Sequence, residues 1–200
     1  MRLRPPTARR YHLGEHKLPF GKGEPYDTDV RLPMYIRGPG VVANATRPHA
    51  TNHIDLTATV VEWGNAGGFV AGPPLDGKSF AAVLGPAPPP PADWRPVVYS
   101  EFFGLNNTWA KMRNPSAGWS LHWWCTGDAE VFQFGAGDPW ELENVAAQAA
   151  GRAVVAANLP TLLGFTKCAG AGCSAPAATD APLPCYVTGE ITGESHVYDP

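Results

Sequence analysis

Glycine and proline fill 44 of the 200 positions, 22 each, about twice their usual share. Glycine loosens the backbone and proline removes a hydrogen-bond donor. The chain must therefore fold as short elements separated by many turns and loops. The 44% hydrophobic content and seven tryptophans are still enough for a core. The length suits one domain, or a subdomain carrying a piece of another. Charged residues make up 16% and the net charge is −3, with no basic run beyond the first ten residues. That balance argues against nucleic acid or an anionic membrane as partner. No apolar stretch approaches the roughly 18 residues of a membrane span.

The compartment can be read from small signals. Met1–Arg10 is positively charged but has no apolar stretch after it, so it does not read as a signal peptide. Asn44-Ala-Thr46 and Asn106-Asn-Thr108 are glycosylation sequons, and Asn44 and Asn106 are the candidate acceptors. Cys125, Cys168, Cys173 and Cys185 form an even set with three pairings open. Both features favour an oxidising, secreted or lysosomal setting. A secreted chain without a secretion signal leads us to expect that its beginning is missing.

Along the chain, Leu32, Met34 and Ile36 alternate with Pro33, Tyr35 and Arg37 as a short strand closed by Gly38-Pro-Gly40. The spacing predicts a helix over Asn52–Trp63 with Ile54, Ala58 and Val61 on one face and Asp55 near its start. Pro86–Pro91 reads as a solvated spacer. Strands are expected at Pro96–Phe103, Ser120–Trp124 and Ala129–Phe134, with Trp119, Leu121 and Trp123 forming a packing face. Asp138-Pro-Trp-Glu141 has the form of a capping box, predicting a helix from there to about Asn158, where Pro160 disturbs it.

On residues alone, no active site declares itself. There is no phosphate-binding loop, no Gly-x-Ser-x-Gly elbow and no zinc ribbon. His12 and His16 would share a face if Tyr11–His16 were helical, but Gly14 lies between them and Pro19 follows. That favours a loop with ordinary histidines. Lys22 sits between two glycines, where an ammonium can approach an anion without crowding.

Several motifs in order add to this reading. They are Tyr11-His-Leu-Gly-Glu-His16, Lys22, Tyr26-Asp-Thr-Asp-Val-Arg-Leu-Pro33 and Arg37-Gly-Pro-Gly40, followed by His53–Thr59 and Leu75-Asp-Gly-Lys-Ser79. Val131-Phe-Gln-Phe134 with Asp138-Pro-Trp-Glu141 and Asn144 comes last. Together they resemble the C-terminal part of the sulfatases, within the alkaline-phosphatase-like fold. The cysteine-containing ending is similar to that of the N-acetylglucosamine-6-sulfatase branch. The resemblance implies an α/β architecture: the edge of the large catalytic domain over 11–72, then a small antiparallel-sheet-and-helix subdomain over 73–200. Residues 1–10 stand outside it.

The family's activity is sulfate-ester hydrolysis on aryl sulfates or sulfated sugars. A formylglycine made from cysteine in C-x-P/A-x-R attacks sulfur while calcium polarises the sulfate oxygens. Lys22 matches the lysine that contacts the sulfate and counts as the catalytic candidate. His12 and His16 are the candidate substrate contacts. None of the four cysteines fits the formylglycine motif. Ala8-Arg9-Arg10 stand where the family has calcium ligands, and neither residue type can ligate a hard cation. The expectation is thus a sulfatase portion, inactive alone and without calcium of its own. The alternative is a non-catalytic module that binds sulfated glycans.

Overall fold

A computed structural model of the chain describes residues 2–4, 11–65, 74–104, 107–188 and 195–198. Its centre is a four-stranded antiparallel sheet, β3 (Val98–Gly104), β4 (Asn107–Asn114), β5 (Trp119–Trp124) and β6 (Ala129–Phe132), paired in sequence order. Ahead of it come β1 (Arg2–Arg4), the four-residue α1 (Asp27–Val30), β2 (Tyr35–Arg37), α2 (Ile54–Asn65) and α3 (Ala81–Leu84). Behind it follow α4 (Ala149–Phe165) and the antiparallel pair β7 (Cys185–Thr188) and β8 (Ser195–Tyr198). This mixed architecture, with a small antiparallel sheet packed on a helix, agrees with the α/β class expected.

Alternation along the strands divides the sheet into two unlike faces. Ala110, Met112, Leu121 and Val131 face α4 and bury against Leu162, Leu163, Val145 and Leu183, with Trp119 and Trp123 packed at the margin. The tryptophan stripe on β5 is thus a packing surface, as its spacing implied. The opposite face carries Trp109, Lys111 and Arg113 on β4, with Trp124, His122 and Ser120 opposite them in register on β5. The segment 23–27 lies against that face, bonded to Trp109, Lys111, Arg113 and Glu130. Strand β4 was not foreseen. Because both its faces are covered, Thr108 to Met112 are all buried and its charges point inward, which hides the usual polar-out signature.

Two helices depart from expectation. In α2 the side turned inward is Asp55, Ala58 and Thr59, whereas Ile54 and Val61 are 46% and 39% exposed. Asp55 decides the rotation: its carboxylate accepts from the Lys78 amide at 2.8 Å and from Arg95 at 2.6 Å. A second small core, Phe80, Val83 and Trp94 with Met34, Ile36 and Leu56, lies beside this helix.

No helix begins at Asp138. Its carboxylate does accept the amides of Leu142 and Glu143 at 2.9 and 3.0 Å, but Glu141 adopts φ 55° and turns its own carboxylate into the sheet. A left-handed residue there ends any helix. Helix α4 starts only at Ala149 and continues past Pro160 to Phe165. The strand expected at Leu32–Ile36 is Tyr35–Arg37, paired with β1. The pairing left open by the cysteine count is Cys125–Cys185 and Cys168–Cys173.

Candidate functional site

The chemistry-bearing residues of the first thirty positions gather on the polar face of the sheet. Gly14 has φ 109°, and His16 and Lys17 are left-handed as well, so Tyr11–Lys17 is a turn rather than a helix. His12 forms an antiparallel bridge with Gly21, its amide donating to the Gly21 carbonyl at 2.9 Å. The imidazole is 4% exposed and its Nδ1 lies 3.1 Å from both Asp29 carboxylate oxygens. Asp29 also accepts the amides of Gly23 and Glu24 at 3.0 and 3.1 Å.

The turn is held from the sheet side too. Trp109 Nε1 donates to the Gly23 carbonyl at 2.6 Å, and Asn107 Nδ2 donates to the same oxygen at 3.2 Å. Gly23 has φ +112°, a backbone region that favours glycine. Lys22, between these fixed peptide groups, is exposed and makes no hydrogen bond or ion pair to a described residue.

The other two candidates sit differently. His12 is turned inward and engaged by Asp29, so its place in this structure is beneath the turn. His16 stacks on the Tyr26 ring at 3.9 Å between centroids, some way along the same face. The structure therefore brings His12 and Lys22 onto one turn. It sets His16 against Tyr26 instead. Asn44 lies with Ala45 and Thr46 in an exposed loop; Asn106 falls outside the described residues.

Below the turn lies a buried ionic network that the sequence did not reveal. Lys111, 2% exposed, donates to Asp27 at 2.8 Å, to Glu141 at 3.0 Å and to the Pro25 carbonyl at 2.8 Å. Arg113 adds a bond to Asp27 at 3.0 Å, and Ser120 donates to Glu141 at 2.6 Å. The Asp27 amide donates to the second Glu141 oxygen at 2.6 Å. Burial works to raise the Glu141 carboxyl, but the His122 ring 3.6 Å away, the Lys111 charge and the Ser120 hydroxyl outweigh it and hold the group well below the usual range.

His122 lies beyond, 3.4 Å from Glu130, whose other oxygen accepts from the Tyr26 hydroxyl at 3.1 Å. Burial would raise Glu130 too, yet the His122 bond and charge leave it lowered. The Tyr26 phenol is pushed up by burial and by Glu130, which keeps it a donor. A signal for this network was present in the sequence: Asp27 and Glu141 both fall in family motifs, but helix capping accounted for Glu141 equally well.

The acidic side chains are thus occupied by cations and amides. Among the described residues no group of three or more His, Cys, Asp or Glu side chains is placed to hold a metal ion. The described residues do not fit the calcium that the family implies.

The chain is similar to several known proteins. The chain is 30% identical over 194 residues to the arylsulfatase of Volvox carteri, covering 83% of this chain and 29% of that protein. It is 28% identical over 202 residues to the N-acetylglucosamine-6-sulfatase of Bos taurus, covering 85% and 35%. The solved structure of BT4656 in complex with its substrate D-glucosamine-2-N,6-O-disulfate is similar at a TM-score of 0.61 and 25% identity, over 78% of this chain and 31% of that one. No protein-family model matches the chain. The mixed structure of helices and an antiparallel sheet matches part of the alkaline-phosphatase-like fold of these sulfatases. The chain belongs to the sulfatase family and corresponds to the C-terminal portion of its members. It spans about a third of the length of these relatives.

Proposed function

We propose that this chain is the portion of a sulfuric ester hydrolase that supplies the lysine contact to the sulfate ester, together with the subdomain on which that lysine is mounted. The observation that carries the reading is Lys22 itself: an exposed ammonium between glycines whose peptide groups are bonded on both sides. A cation held there offsets the negative charge that develops on the leaving ester oxygen as its bond to sulfur breaks. His16 is the second substrate contact in this reading, and His12 acts from beneath the turn.

Residues 11–72 are then the edge of the catalytic domain and 73–200 the C-terminal subdomain. In this reading the nucleophile and the calcium ligands are not among residues 11–200. The complex of BT4656 with a sulfated glucosamine supports a sulfated sugar as substrate class, and the arylsulfatase likeness keeps aryl sulfates beside it. Two disulfides and the exposed Asn44 sequon support a secreted or lysosomal protein.

The test is to recover the full-length transcript that encodes residues 11–200, express its product, and assay an aryl sulfate and a glucosamine 6-sulfate beside the Lys22→Ala variant. Hydrolysis that falls by about 10²-fold in the variant is the expected result. Hydrolysis indifferent to Lys22→Ala removes the lysine from the mechanism. Binding of the sulfated sugar without turnover replaces the hydrolase reading with the glycan-binding one.

A further inference from the structure

We propose that Trp109, Asn107 and Asp29 are positioning residues for this reaction, holding the Gly21–Glu24 backbone so that the Lys22 ammonium meets the leaving ester oxygen. The inference rests on the sulfatase reading above. It assigns the sheet of the C-terminal subdomain a part in catalysis through the first two residues.

The hydrogen bonds around Lys22 are arranged unlike those of an ordinary surface lysine. Both peptide groups before and after it are tied down. The Gly21 carbonyl and amide pair with His12, the Gly23 and Glu24 amides go to Asp29, and the Gly23 carbonyl takes the Trp109 indole and the Asn107 amide. Two of the groups doing this are buried, the Asp29 side chain at 3% exposed and Trp109 at 3%, and Asn107 is half-buried. Asp29 is anchored in turn by His12.

Buried donors and acceptors left unpaired are costly, so the turn cannot drift without breaking several such bonds together. Only the Lys22 side chain is left outside. A backbone fixed this closely around one exposed ammonium is what charge stabilisation at a set point requires, since a displacement of about 1 Å can cost about 10²-fold in rate. Trp109 and Asn107 lie 86 and 84 residues beyond Gly23. The precision of the lysine therefore depends on the sheet being packed against the turn.

The experiment uses the complete enzyme that carries this segment and a series of aryl sulfates whose phenols differ in acidity. Trp109→Phe keeps the ring and removes the indole donor. Lys22→Ala should steepen the dependence of kcat on leaving-group pKa, because poor leaving groups need the ammonium most. Trp109→Phe and Asp29→Asn should steepen it in the same sense, with kcat for the poorest leaving group down by about tenfold and KM little changed. In the Lys22→Ala background, Trp109→Phe should add nothing.

Leu121→Ala, a core change on the opposite face, is the control: it reduces the yield of active enzyme without altering the slope. A slope unchanged by Trp109→Phe but steepened by Lys22→Ala overturns the positioning role and leaves the lysine reading intact. Absence of hydrolysis in the unmodified enzyme is the failure of the sulfatase reading itself.

Discussion

Lys111 and Asp27 are joined at 2.8 Å in the buried interior although 84 residues separate them. This pair, with Glu141 at 3.0 Å on the other side of the same ammonium, fastens the segment carrying Lys22 to the sheet. It is therefore as much a part of the site's foundation as the turn.

Replacing Lys111 by alanine leaves the Asp27 and Glu141 carboxylates facing each other out of water. Arg113 still reaches Asp27, but Glu141 keeps only Ser120, the Asp27 amide and His122 nearby. Breaking a buried pair by removing one partner costs about 3–5 kcal/mol. Urea denaturation of Lys111→Ala against the unmodified chain should show a loss of that order. A loss below about 1 kcal/mol, the range of surface pairs, would place the ammonium in water.

Stability should fall on the acid side. Glu141 and Glu130 are both lowered in the folded chain. A lowered carboxyl contributes stability that is present above its unfolded value, about 4.3, and is lost as the pH falls through the folded value. Thermal melts should hold steady near neutral pH and drop progressively below about pH 4. Glu141→Gln should melt lower at neutral pH and show a flatter acid limb. An acid limb identical to that of the unmodified chain would mean that Glu141 is not the group being protonated.

The two disulfides should differ in weight. Cys125–Cys185 spans 60 residues and ties the end of β5 to β7, whereas Cys168–Cys173 spans five. In the chain-entropy account the longer loop is worth about 4 kcal/mol and the shorter about 2 kcal/mol. Denaturation of the Cys125→Ala/Cys185→Ala and Cys168→Ala/Cys173→Ala double variants should rank them in that order. The reverse ranking would show that loop length does not govern either bond.

Asn44 should carry a glycan when the protein is made in a secretory host. The residue has φ 56° and stands with Thr46 in an exposed loop, so the acceptor amide and the hydroxyl two positions on are both accessible. The mass of the secreted product should drop on amidase treatment and in the Thr46→Ala variant. An unchanged mass would return Asn44 to an unmodified surface loop.

Much of the scaffold could be read from local pattern. Helix α2 was legible from its spacing, and β3, β5 and β6 from β-branched and aromatic runs between turns. The face of α2 was misjudged because a buried Asp55, bonded to Lys78 and Arg95, outranked the apolar side chains of Ile54 and Val61. The candidate site drew notice in the sequence only through Lys22, by the glycines around it and the motif in which it lies. Its supports were not legible, because Asp29, Asn107 and Trp109 act on backbone groups and carry no sequence spacing of their own.

The sequence by itself determined that the chain would be loop-rich, that Trp119, Leu121 and Trp123 would pack, and that its ordered motifs are those of a sulfatase. Such features depend on neighbours within a few residues. Only the tertiary structure decided that β4 runs through the middle of the sheet with its charges inward, and that Glu141 turns left-handed instead of opening a helix. The cysteine pairing and the bonds holding the Gly21–Glu24 backbone were settled there as well. Each of these depends on hydrogen bonds, ion pairs or disulfides between residues far apart in the chain, and those partners meet only when the two faces of the sheet are covered.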